Sequence, residues 1–109
     1  MKSGETYDGD WIDDKKNGNA IMKYAKGDIY EGHFKDGDRD GKGIYKFTTG
    51  ERYDGEWKNS KRNGKGKNTW PSGLIYDGVW KDNKRDGFGS QIDKDGKKKS
   101  GMWKNDVFQ

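Results

Sequence analysis

Apolar residues in this chain fall into columns rather than runs. Tyr7, Tyr30, Tyr53 and Tyr76 stand 23 residues apart. Four residues after each comes another aromatic, Trp11, Phe34, Trp57 and Trp80, and Trp103 extends the series. Tyr24, Phe47 and Trp70 make a third column, which Asp93 breaks. These three columns hold 12 of the 15 aromatic side chains. Glycine keeps the same period at Gly9, Gly32, Gly55, Gly78 and Gly101, and again at Gly18, Gly41, Gly64 and Gly87. A further column has Gly43, Gly66 and Gly89, with Ala20 in the first repeat, and a last one has Gly27, Gly50, Gly73 and Gly96. A fixed period of this length marks a repeat architecture.

The spacing also predicts the elements. Tyr, Gly and Trp at i, i+2 and i+4 share one face of a strand, and charged residues such as Asp54, Glu56 and Lys58 take the other. Asn17-Gly18, Asp40-Gly41, Asn63-Gly64 and Asp86-Gly87 then read as hairpin turns, because both residue types tolerate positive φ. A short return strand follows, residues 65–70 for example, and the next turn carries the last glycine column. The expected fold is all-β with little or no helix: an elongated, twisted antiparallel sheet of tandem 23-residue hairpins with about nine strands. Nine strands span on the order of 40 Å. Residues 1–109 form a single array, with the end of a preceding repeat at 1–6, repeats at 7–29, 30–52, 53–75 and 76–98, and a partial repeat at 99–109. Glycine facing a bulky ring lets the two strands approach closely. Each repeat touches only its neighbours, so none folds alone. Asp93 and Lys99 break their columns, which puts the fourth return strand in question, with Ile92 as the substitute apolar residue.

"YEGHFKDGDRDGKG" at Tyr30–Gly43 and "YDGEWKNSKRNGKG" at Tyr53–Gly66 carry a Y-x-G-x-W/F motif followed by G-x-G. On these motifs the chain resembles the MORN (membrane occupation and recognition nexus) family over residues 4–103. The resemblance implies an elongated antiparallel sheet that mediates assembly as a scaffold, a peptide-binding groove or an appendage of an enzyme. Phospholipid binding has been proposed for the family.

Composition alone points elsewhere, since 27% of residues are hydrophobic and 39% charged, a balance that favours disorder. The regular aromatics overrule it. No apolar run is long enough to span a membrane as a helix, and "MKSGETYDGDW" lacks the apolar core of a secretory signal. A cytoplasmic location, associated with cytoskeleton or membrane, is the expectation.

The motifs suggest no catalytic chemistry, no metal and no cofactor. There is no cysteine and a single histidine, His33, in a column shared with Asp10, Glu56 and Val79. The G-x-G pairs lack phosphate-loop spacing and open no helix. Asp36, Asp38 and Asp40 begin like a calcium loop, but Phe47 stands where the bidentate Glu belongs. No basic helix or base-stacking platform points to nucleic acid.

Two surfaces remain as binding candidates. A one-layer sheet leaves its apolar face uncovered, so Tyr30, Phe34, Phe47, Tyr53, Trp57, Trp70, Tyr76 and Trp80 are read as a groove for a protein or peptide segment. A second copy docking through the terminal repeats is another occupant. The alternative is an anionic, phosphoinositide-type membrane surface bound by Lys61, Arg62, Lys84 and Arg85. The net charge of +4 supports it, because repeats 7–29 and 30–52 carry −1 and 0 while 53–75 and 76–98 carry +3 and +1. A third assignment is a regulatory appendage of a larger enzyme, such as a lipid kinase or a methyltransferase.

Overall fold

The computed structural model describes residues 4–109. Residues 1–3, part of the segment read as the end of a preceding repeat, lie outside the described residues. Ten strands form one antiparallel sheet in chain order: β1 (Thr6–Ile12), β2 (Lys15–Lys23), β3 (Ile29–Lys35), β4 (Asp38–Lys46), β5 (Arg52–Lys58), β6 (Lys61–Thr69), β7 (Ile75–Lys81), β8 (Lys84–Ile92), β9 (Lys98–Lys104) and β10 (Val107–Phe108). No helix occurs among the described residues. The all-β hairpin array is as expected, with one strand more, because Phe108 pairs opposite Trp103. The molecule measures 45 × 23 × 17 Å.

The turns differ from the expectation. The Asn-Gly and Asp-Gly pairs lie inside the return strands. The tight turns fall four residues earlier, at Asp13-Asp14, Asp36-Gly37, Asn59-Ser60, Asp82-Asn83 and Asn105-Asp106. Both residues of each pair have positive φ, as a two-residue type I′ loop requires. Gly18, Gly41, Gly64 and Gly87 also have positive φ, but they form bulges. Between the pairs Gly32↔Gly43 and Phe34↔Arg39, β3 contributes one residue and β4 three. Turn and bulge make the same demand on the backbone, so residue type alone did not separate them.

The bulge keeps both ends of each hairpin on one face. Gly55 pairs with Gly66, and a Cβ on Gly66 would lie 2.1 Å from the Tyr53 hydroxyl. The glycine pair is therefore the seat of the tyrosine ring. Gly32–Gly43 and Gly78–Gly89 seat Tyr30 and Tyr76 in the same way. The fourth return strand is intact as β8: Gln91 takes the inward position opposite Tyr76, and Ile92 points to the other face. Asp93 earns its place in the following turn, where its carboxylate accepts from the Asp95 and Lys97 amides, both at 2.9 Å.

Candidate functional site

One face of the sheet is an edge-to-face aromatic ladder. Tyr30 meets Trp57 at 5.6 Å between ring centroids, Trp57 meets Tyr53 at 5.0 Å, Tyr53 meets Trp80 at 5.5 Å, Trp80 meets Tyr76 at 5.2 Å and Tyr76 meets Trp103 at 5.4 Å. Each contact is near perpendicular, the arrangement favoured by the ring quadrupoles. Every ladder tyrosine donates its hydroxyl to the carbonyl three residues on, as Tyr53 does to Glu56 at 2.9 Å. Trp57 and Trp80 donate their indole N–H to the Gly43 and Gly66 carbonyls. Tyr30, Tyr53 and Tyr76 are fully buried, and burial pushes the phenols of all three up from their ordinary value.

A one-layer sheet buries these rings because arginines lie over them. Arg39, Arg62 and Arg85 stack on Trp57, Trp80 and Trp103, with the guanidinium carbon 4.8, 4.6 and 4.7 Å from the ring centroid. Each arginine sits on the return strand of one repeat and covers the tryptophan of the next. Its guanidinium also reaches the next turn: Arg62 donates to the Asn83 carbonyl at 3.2 Å, and Arg85 to that of Asp106 at 3.1 Å. The third contact goes inward, from Arg62 to Asn68 at 3.0 Å and from Arg85 to Gln91 at 2.6 Å. Burial lowers the Arg62 guanidinium from its ordinary value, opposed by Glu51. The column is thus a clamp between repeats, built from planar stacking and forked donation that lysine cannot supply.

The opposite face is solvent-facing and changes character along its length. One row crosses the strands through Asp10, His33, Lys42, Glu56 and Lys65, then turns apolar at Val79, Phe88 and Met102. Beside it, on the hairpin edge, Lys58 pairs with Lys61 and Lys81 with Lys84. An open depression of about 620 Å³ lies here, between Lys81, Lys84, Asp86 and Lys104. A second, of about 540 Å³, is lined by Asp8, Ile21, Glu31 and Ile44.

The repeated hairpin, its seated tyrosine and its paired glycines correspond to the MORN repeat, and the profile of that family matches residues 7–29, 30–52, 53–75 and 76–98. The chain belongs to the MORN repeat family. MORN repeats are a non-catalytic repeat module, consistent with protein or membrane interaction. A comparison with the curated proteins found no match.

Within this MORN array the residues read as a groove are brought together but not left open. Tyr30, Phe34, Tyr53, Trp57, Tyr76 and Trp80 are buried among one another, while Phe47 and Trp70 are half-buried at the turns that follow the return strands. The residues read as a basic row separate onto two faces. Lys61 and Lys84 are exposed beside Lys58 and Lys81, whereas Arg62 and Arg85 turn to the aromatic face. Reading the hairpin cations as one row overlooked the alternation of a strand, which sends neighbours to opposite sides. The clamp itself went unseen in the sequence, although Lys16, Arg39, Arg62 and Arg85 form a 23-residue column. Three arginines in one column, each followed by Asn or Asp, were the available signal.

Proposed function

We propose that this MORN array is a non-catalytic, cytoplasmic scaffold, associated with cytoskeleton or membrane, that binds a partner segment or a second copy along its sheet. The observation that supports it is the division of labour between the faces. One face is consumed in holding the repeats in line, and the other remains an open platform running the 45 Å length of the molecule. On the aromatic face a partner would meet Phe47, Trp70 and the edges of the arginines. The test is capture of a partner, reconstitution from purified components and hydrogen-exchange mapping of the complex. Protection confined to one face of the sheet is the expected result. Failure of every captured candidate to form a binary complex ends the proposal. Sedimentation velocity tests the second copy, and a monomer at high concentration removes it.

A second reading, binding to anionic phospholipid, is favoured by the Lys58–Lys61 and Lys81–Lys84 pairs. It rests on Lys61 and Lys84, since Arg62 and Arg85 are engaged elsewhere. Co-sedimentation with phosphoinositide vesicles that is abolished by Lys61→Glu with Lys84→Glu, and by raised salt, supports it. Sedimentation unchanged by that charge reversal removes it. A place within a larger enzyme is compatible with either role, and the full reading frame tests it.

A further inference from the structure

The fourth repeat carries an apolar stripe that the fold does not require. Phe88 is 60% exposed and Met102 54%, and they face each other as register partners on β8 and β9. Val79 adjoins them across the bulge, against Gly87. One repeat earlier the positions of Val79 and Phe88 hold Glu56 and Lys65, where the Glu56 carboxylate accepts from the Lys65 amide at 3.0 Å. The sheet thus closes equally well with charges there.

The borders of the stripe say what would cover it. On the hairpin side run Lys61, Lys81, Lys84 and Lys104, all exposed. On the other side lie Ser90 and Ser100, bonded to each other at 2.8 Å, which leave room for a close approach. The stripe crosses the strands, so its side chains step by about 4.8 Å. An extended peptide laid along it repeats a face every ~6.8 Å and falls out of register. A helix advances ~4.5 Å over three residues and ~6 Å over four, and follows the stripe. A bilayer fits less well: Asp77 and Asp86 flank the stripe, and a helix can set its carboxylates over the lysines and away from both, which a continuous anionic surface cannot.

We propose that the Val79–Phe88–Met102 stripe docks an acidic amphipathic helix of a partner protein, its apolar face on the stripe and its carboxylates on the lysine edge. This rests on the interaction-module reading and deepens it with a place and a chemistry. Helix-in-groove recognition of this kind is read out by anchors at i, i+3, i+4 and i+7.

The probe is a synthetic helical peptide with leucines at those positions and glutamates along the one flank that faces the lysine edge, titrated into the full chain. A scrambled peptide of equal composition and phosphatidylserine vesicles are the comparisons. Saturable binding of the patterned peptide is expected, with chemical-shift changes at the Met102 methyl. Phe88→Lys copies the residue of the preceding repeat and so preserves the fold, which a melting curve checks. It is expected to weaken binding on the order of tenfold to a hundredfold. Equal affinity for the scrambled peptide, indifference to Phe88→Lys, or shifts mapping to the aromatic face each overturn the proposal. So does Phe88-dependent vesicle binding without peptide binding, which would assign the stripe to membrane. These failures leave the scaffold reading standing wherever a reconstituted complex maps to another surface, and that reading falls only if no binary complex forms.

Discussion

Repeats 7–29 and 53–75 follow one template and reach different degrees of burial. Trp57 is 5% exposed and Trp11 50%. Tyr53 is fully buried, whereas Tyr7 is only half-buried. Neither ring differs in chemistry from its counterpart, and the rings keep the same register, Tyr7 opposite Met22 and Trp11 opposite Lys16 as Tyr53 is opposite Asn68 and Trp57 opposite Arg62. The difference lies in the neighbours. Trp57 has strands on both sides and Arg39 above it, while Trp11 stands on β1, paired in this sheet with β2 alone, and has Lys16 for a cover at 6.0 Å. Burial in this array is a property conferred by the adjacent repeat, as expected of a one-dimensional architecture.

The glycine seats and the rings they hold should give the two largest effects. Gly66→Ala drives a methyl into the Tyr53 ring, with backbone close by on the Gly55 side, and should destabilise by about 3 kcal/mol. Repeat one already has Ala20 at this position, with its tyrosine less deeply set, so Ala20→Gly should change stability by less than about 1 kcal/mol. Urea midpoints of the two variants test the pair. Similar losses at both sites would show that seat depth does not govern burial. Truncation of the rings themselves is at least as large. Trp80→Ala removes a buried indole and should cost about 3–5 kcal/mol, and Trp11→Ala below about 1 kcal/mol. Thermal melts of both variants are the measurement.

Much of this was legible in the sequence, because burial, turn and seat all fall on fixed columns. The period gave the hairpins, the face shared by Tyr, Gly and Trp, and the reason for the glycines. The position of the turns was not legible, since Asn63-Gly64 and Asn59-Ser60 both meet a demand for positive φ and only pairing distinguishes them. The inward column Met22, Tyr45, Asn68 and Gln91 was equally hidden. Its chemistry changes at every repeat, so no composition rule picks it out. For the candidate surfaces the obstacle was longer range. An arginine that reaches across to the next repeat looks, in sequence, like any solvated hairpin cation.

The clamp gives a smaller and sharper test. Arg62→Lys keeps the charge but loses the forked bonds to Asn83 and Asn68 and the planar stack on Trp80. A loss of about 1–2 kcal/mol is expected, against almost none for Lys16→Ala in repeat one. Fluorescence of the tryptophans should shift to longer wavelength in Arg62→Lys as water reaches the Trp80 ring. A clamp that mattered only by its charge would leave both readouts unchanged.

The last test concerns the turn that closes repeat one, where Asp28 stands in the column continued by Glu51, Leu74 and Lys97. Asp28 is buried and accepts from the Tyr45 hydroxyl at 2.7 Å and the Thr48 amide at 2.9 Å, with the Lys26 ammonium at 3.1 Å. Burial alone would raise its carboxyl. The hydroxyl, the amide and the ammonium together outweigh burial, and the net displacement is downward. A carboxyl held below its unfolded value stabilises the fold above about pH 4, and that contribution disappears as pH falls through the folded value. Asp28→Asn should therefore lower the melting temperature near neutral pH, with the gap to the parent chain narrowing as pH falls below about 4. Glu51 is more open and accepts from Asn68 at 3.1 Å with Arg62 at 3.6 Å, so Glu51→Gln should lower the neutral-pH melting temperature by less. A constant gap across the acid range would mean that the Asp28 carboxylate contributes by shape alone, and the two turns would then be equivalent despite their different burial.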